Sequence, residues 1–161
     1  MNMTTETKPL VVSLKEAVDA MDTMSDQIHS YLHLKTGRWI SLSEEILSMA
    51  EDDSMPGDHP DWEQEMILIA RDILTTDDYL ELPDRFEIHE YNIMREFCLS
   101  REGRAGDDLV DQIRGKGAFG RFRNAVRRHR IEDQWYQFRE KAMEEIAIAW
   151  LDRNHIAYQR P

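Results

Sequence analysis

Between Ile113 and Arg130 the chain reads IRGKGAFGRFRNAVRRHR, a stretch whose residue types suit the holding of an anion. It carries three of the seven glycines and seven of the twenty Lys/Arg residues, in a chain of formal net charge −12. Gly115-Lys116-Gly117 reads as a turn feeding a helix, and the unpaired N–H groups and dipole of a helix start favour negative charge. Placed on a helix at about 100° per residue, Phe119, Phe122, Ala125, Val126 and His129 share one side. Arg121, Arg123, Arg127, Arg128 and Arg130 share the other. The pattern predicts an amphipathic helix with aromatic anchors inward and guanidinium groups outward. The candidate phosphate- or partner-binding set is therefore Arg114, Gly115, Lys116, Gly117, Arg121, Arg123, Arg127 and Arg128.

A plainer reading stands beside this one. Gly115-x-Gly117-x-x-Gly120 matches GxGxxG, but no strand precedes it, which argues against a dinucleotide fingerprint. The glycines then serve only as turn formers, and the arginines are solvated or paired with acidic surface on this chain or a second copy. Glu87, His89 and Glu90 form a small acid/base cluster that could act beside Lys116, but no nucleophile or metal motif accompanies them, so capping and surface roles are favoured. His29 and His33 fall on one face without an evident third ligand, so neither a metal nor a cofactor is expected. Cys98 lies on an apolar stripe, where free cysteine is an inert small hydrophobe; a reactive thiol would need basic neighbours such as Arg95 and Arg101. The acidic loop from Glu51 to Asp61 lacks the order of a calcium loop. Trp39, Trp62, Trp135 and Trp150 sit at core-periodic positions.

The elements that must position these residues read as mostly helical α+β. Ser13-Leu14-Lys15-Glu16 is a capping box opening a helix with Leu14, Ala17, Val18, Met21 and Met24 at helical spacing. The period then changes to two, and Gly37 supplies the positive φ of a hairpin over about 29–42. Ser41 or Ser43 caps a short helix to about Met49, and Asp58 or Asp61 starts another carrying Trp62, Met66, Ile69, Ala70 and Ile73. A strand over about 79–82 ends at Pro83. Asp84 with Glu87 caps a helix bearing Ile88, Tyr91 and Cys98. Glu102 to Gly106 reads as a flexible linker before a short helix from Asp107 to about Arg114. The last helix runs from about Glu132 to Arg153 with Asn154 as a left-handed cap. Residues 156–158 read as a fourth, edge strand of the small antiparallel sheet. The organisation expected is a disordered leader, 1–12, and one α+β domain, 13–161.

Composition sets the outer bounds. At 161 residues with 41% apolar and 32% charged side chains, the chain can bury a core without disulfide staples. No apolar run is long enough for a membrane span, and the N-terminus lacks the apolar region of a secretory signal. One cysteine makes no internal disulfide, and the default setting is the reducing cytoplasm.

Several runs carry a resemblance to a known family. They are Leu82-Pro83 through Phe86-x-Ile88-His89-Glu90-Tyr91-x-Ile93-Met94-x-x-Phe97-Cys98, then Ile113-Arg114-Gly115-Lys116-Gly117-Ala118-Phe119-x-Arg121-Phe122, Trp135-Tyr136-x-Phe138-Arg139 and Ile146-Ala147-Ile148-x-Trp150. Together they resemble Uncharacterised Protein Family 0158, over nearly everything from Ser13 to Tyr158. The resemblance implies a small, single-domain protein of the bacterial cytoplasm and supplies no mechanism. Gly120 stands where that pattern leads one to expect a basic residue, which weakens any argument that a basic side chain is essential there. The functional expectation is a non-catalytic binding or regulatory protein that meets a phosphate-bearing partner, nucleic acid or a phosphate ligand, through residues 114–130. The alternatives are a protein–protein module or homodimer docking through the same helix, and an enzyme acting on a phosphorylated small molecule.

Overall fold

The computed structural model describes residues 9–52, 59–84 and 88–161. Among these the chain forms seven helices and five strands and is 61% helical, the mostly helical α+β class expected. It divides into two compact units: residues 1–85 with 147–161, and residues 86–146. No helix among the described residues is long and apolar enough to cross a membrane.

In the first unit, Ser13 closes strand β1 (Val11–Ser13) and opens helix α1 (Leu14–Thr23), its hydroxyl accepting the Glu16 N–H at 3.3 Å. This is the serine half of the predicted capping box. Leu14, Ala17, Val18 and Met21 are buried, the stripe that the periodicity required. The hairpin follows as β2 (Ile28–His33) and β3 (Trp39–Ser43), paired from Ile28↔Ser43 to Leu32↔Trp39. Gly37 turns it at φ +74°, where a Cβ would be strained. Strand β4 (Tyr79–Glu81) pairs with the opposite edge of β2, so the antiparallel order is β3-β2-β4.

That order explains why the predicted alternation breaks in β2. Ser30, Tyr31 and Leu32 are all buried, and consecutive strand residues point to opposite faces, so the central strand is covered on both sides. A buried hydroxyl needs partners. Ser30 Oγ donates to the Ala20 carbonyl at 3.0 Å, and Ser41 Oγ then donates to Ser30 at 2.8 Å, tying α1 to both strands of the hairpin. Over the sheet, Ile40 and Leu42 pack with Ile46 and Ala50 of α2 (Glu44–Glu51) and Ile67 and Ala70 of α3 (Asp61–Thr75). Ser43 provides the N-cap of α2. Helix α3 begins at Asp61; Asp58, the alternative start, lies outside the described residues.

The expected fourth edge strand is corrected by its pairing. Strand β5 (Ala157–Gln159) does not join the antiparallel sheet. It pairs parallel with β1, Val11↔Ala157 to Ser13↔Gln159, in a separate two-stranded sheet. Parallel partners need a crossover rather than a tight turn, and here they stand at opposite ends of the described chain, beyond the reach of local pattern. Val11 and Val12, placed with the leader by the sequence reading, are strand residues; residues 1–8 lie outside the described part. The left-handed residue that turns the chain into β5 is His155, φ 57°, one beyond the predicted Asn154. Ile156 N–H returns to the Leu151 carbonyl at 2.9 Å, and Asn154 Nδ2 donates to that of Trp150 at 2.8 Å.

The second unit is helical: α4 (Glu90–Ser100), α5 (Gly103–Gln112), α6 (Ala118–Arg128) and the first turns of α7 (Glu132–Arg153). Phe97 stands at its centre, with the Phe122, Trp135 and Phe138 rings 6.1, 5.3 and 5.3 Å away in edge-on arrangements. Met94, Cys98, Leu109, Ile113, Ala118, Ala125 and Val126 complete the core. The predicted linker 102–106 is instead the N-cap and first turn of α5. Gly106 is there for closeness, not freedom: a Cβ on it would lie 2.1 Å from the Arg101 carbonyl oxygen.

Candidate anion-binding groove

Helix α6 starts where predicted, after Gly115 and Gly117, both at positive φ (75° and 76°), and it buries Ala118, Phe122, Ala125 and Val126. What the sequence grouped as one arginine face is two. At about 100° per residue, positions 121 and 123 stand roughly 200° apart. They lie on opposite flanks of the buried stripe.

On one flank, Arg121 and Arg128 turn toward α5 and the loop after it. Arg121 Nε donates to the Gln112 carbonyl at 2.9 Å, and its two terminal nitrogens donate to the carbonyls of Lys116 and Arg114. Gln112 closes α5, where carbonyls lack intrahelical partners, and Arg114 and Lys116 lie in the turn beyond it. Arg121 is thus a tie for the 112–117 turn and does not face outward as expected. Arg128 Nη2 donates to Asp108 Oδ2 at 2.8 Å, and His129 Nε2 reaches the same oxygen at 2.7 Å. The His129 hydrogen bond is the largest influence holding the Asp108 carboxyl below its ordinary range, followed by that from Gln112. Arg114 lies 3.8 Å from Asp111.

On the other flank, Phe119, Arg123 and Arg127 recur at i, i+4 and i+8 and line one groove with Trp135, Tyr136 and Arg139 of α7 and Glu90 and Ile93 of α4. Its volume is about 330 Å³, at the small end for ligand pockets. Phe119, expected inward, is 47% exposed and meets Tyr91 edge-on at 6.4 Å; Tyr136 is 63% exposed. Sequence reasoning missed Tyr136, although its place one residue after the core Trp135 put it beside the apolar stripe. Within the groove Arg139 Nη2 donates to Glu90 Oε1 at 2.6 Å. Arg123 and Arg127 are exposed, and among the described residues no carboxylate pairs with either.

Lys116 is exposed in the α5–α6 turn and is not among the groove's residues. Glu90 lines the groove with its carboxylate engaged by Arg139, His89 holds the left-handed position before α4 (φ 52°), and Glu87 lies outside the described residues. The structure does not bring Lys116 and Glu90 into this one cleft. His29 contacts Glu81 and Glu44 at 3.1 and 3.3 Å, while His33 contacts the Thr36 hydroxyl and packs on the Tyr79 ring. Among the described residues no group of three or more His, Cys, Asp or Glu could hold a metal ion. Cys98 is fully buried, and burial pushes its thiol up to about 11, away from the thiolate that reactivity needs.

No curated protein and no solved structure matches this chain. The model of one family does match it, across residues 7–160, and takes in both units and every residue of the groove. The chain belongs to the Uncharacterised protein family (UPF0158).

Proposed function

We propose that the protein is a non-catalytic binding or regulatory protein of the bacterial cytoplasm that contacts a phosphate-bearing partner through the α5–α6 turn and helix α6. Arg123 and Arg127 lead the contact, with Lys116 adding charge from the turn. One observation carries this reading: two exposed guanidinium groups one helical turn apart line a groove, and among the described residues no carboxylate forms an ion pair with either. Arginine is suited to that task because its planar fork matches phosphate geometry and stays charged. Arg121 and Arg128, tied to α5 and its turn, serve by holding α6 in place.

The test is purification from lysate at low and high salt, scored by the ratio of absorbance at 260 and 280 nm. Nucleic acid retained at low salt, released at high salt and lost in the Arg123→Gln/Arg127→Gln double variant supports the reading. Arg128→Gln should retain it. Protein free of nucleic acid at both salts counts against a nucleic-acid partner.

A charge asymmetry favours a second reading, docking on an acidic protein face, including that of a second copy. The first unit carries eight Lys/Arg against twenty Asp/Glu, while the second carries twelve of each. Self-association that weakens with salt, measured by analytical ultracentrifugation, would support it.

A further inference from the structure

We infer that the groove of the second unit takes a nucleotide unit, a nucleobase joined to phosphate, with Arg123 and Arg127 on the phosphate and the Tyr136 and Phe119 rings against the base. This inference rests on the phosphate reading above and adds the aromatic half of the ligand. A site for phosphate alone needs donors and positive charge. It does not need two large aromatic rings, Phe119 of α6 and Tyr136 of α7, left 47% and 63% exposed in the lining of the same groove. Such rings cost hydration unless something flat covers them, and every base has a π-face that stacks on an aromatic side chain.

The spacing on α6 matches this division. Phe119 sits one helical turn before Arg123 and two before Arg127, a run of about 12 Å along the axis. Ring and guanidinium groups thus follow one another along α6, the order that a base, its sugar and its phosphate would need. The acidic residues of the lining fit the same ligand. Glu132 is an exposed acceptor for an exocyclic amino group or sugar hydroxyl. Glu90 is held by Arg139 at 2.6 Å, so the pair adds little net charge to the site. A free nucleotide and a single-stranded nucleic acid share this chemistry, and the test separates them.

The experiment is isothermal titration of the full-length protein with ribose 5-phosphate, adenosine 5′-monophosphate and a single-stranded oligo(dA). It is run on the unaltered chain, on Tyr136→Leu, and on the Arg123→Gln/Arg127→Gln double variant, each checked for its circular dichroism. The expected result is that a base-containing ligand binds at least about fivefold more tightly than ribose 5-phosphate, the weakest effect that one stacking contact would give. Tyr136→Leu should remove that advantage, and the double arginine variant should weaken all ligands. Binding of the mononucleotide assigns a free nucleotide. Binding of the oligonucleotide alone, with a salt dependence that flattens in the double variant, assigns a single strand. Equal affinity for adenosine 5′-monophosphate and ribose 5-phosphate, unaltered by Tyr136→Leu, overturns the nucleobase inference and leaves the phosphate reading intact. Absence of binding by all three ligands overturns both.

Discussion

Asp108 and His129 meet between α5 and α6 with Oδ2 and Nε2 2.7 Å apart, and Arg128 donates to the same oxygen from the preceding position. The pair fastens the far end of α6 to α5, as Arg121 fastens its beginning to the turn before it.

The Asp108 carboxyl is held below its usual range, by the His129 hydrogen bond first and that of Gln112 second. A depressed folded-state pKa gives stability that is present above the unfolded value of roughly 4 and lost as pH falls through the lowered folded value. Asp108→Asn should therefore lower the urea midpoint clearly at pH 6 and progressively less on acidification toward pH 2. A constant difference across that range would remove Asp108 from the acid transition.

Arg121 satisfies carbonyls at Gln112, Arg114 and Lys116. Hydrogen bonds from a charged donor contribute about 1.5–3 kcal/mol each at most, and partial exposure reduces that here. Arg121→Gln is expected to cost about 1–2 kcal/mol in urea unfolding, while Arg123→Gln should stay within about 0.5 kcal/mol. Equal effects of the two would show that the flanks of α6 are not different in kind.

Two helical glycines should respond with opposite sign. At Gly106 a Cβ would sit 2.1 Å from the Arg101 carbonyl oxygen and 2.7 Å from its carbon, backbone that cannot swing aside. At Gly120 a Cβ meets nothing within 4 Å. Gly106→Ala should destabilise by about 1–3 kcal/mol or more, and Gly120→Ala should stabilise by about 0.5–1 kcal/mol. Thermal melts of the two variants beside the parent check both signs at once.

Much of this was legible in the residues. The helical stripe of Leu14, Ala17, Val18 and Met21, the hairpin turn at Gly37 and the core stripe of α6 all follow from local spacing, because each is decided within one element. The errors have a common physical source. Glu102 to Gly106 read as a linker because glycine usually signals freedom, whereas Gly106 is set by the nearness of the Arg101 carbonyl, which no propensity records. Residues 156–158 read as an edge strand of the antiparallel sheet, but nothing local marks Val11–Ser13 as the partner of the strand that forms at Ala157–Gln159. The groove is only partly legible: Arg123 and Arg127 read as outward, but Phe119, four residues before Arg123, reads as an inward anchor and is 47% exposed. Assigning Arg121 to the same face ignored that it stands two residues, and therefore more than half a turn, from Arg123.

The uneven distribution of acid between the two units has a consequence at the bench. The chain's pI of about 4.9 and its −12 formal charge are supplied by residues outside 86–146. An anion-exchange resin will hold this protein strongly, and a chromatographer would class it as a poor prospect for polyanions. The net charge behind that retention belongs to the first unit. Since screening confines exposed charges to about 8 Å at physiological salt, what a ligand meets at Arg123 and Arg127 is set by their immediate surroundings, and the isoelectric point of the whole chain says nothing about it.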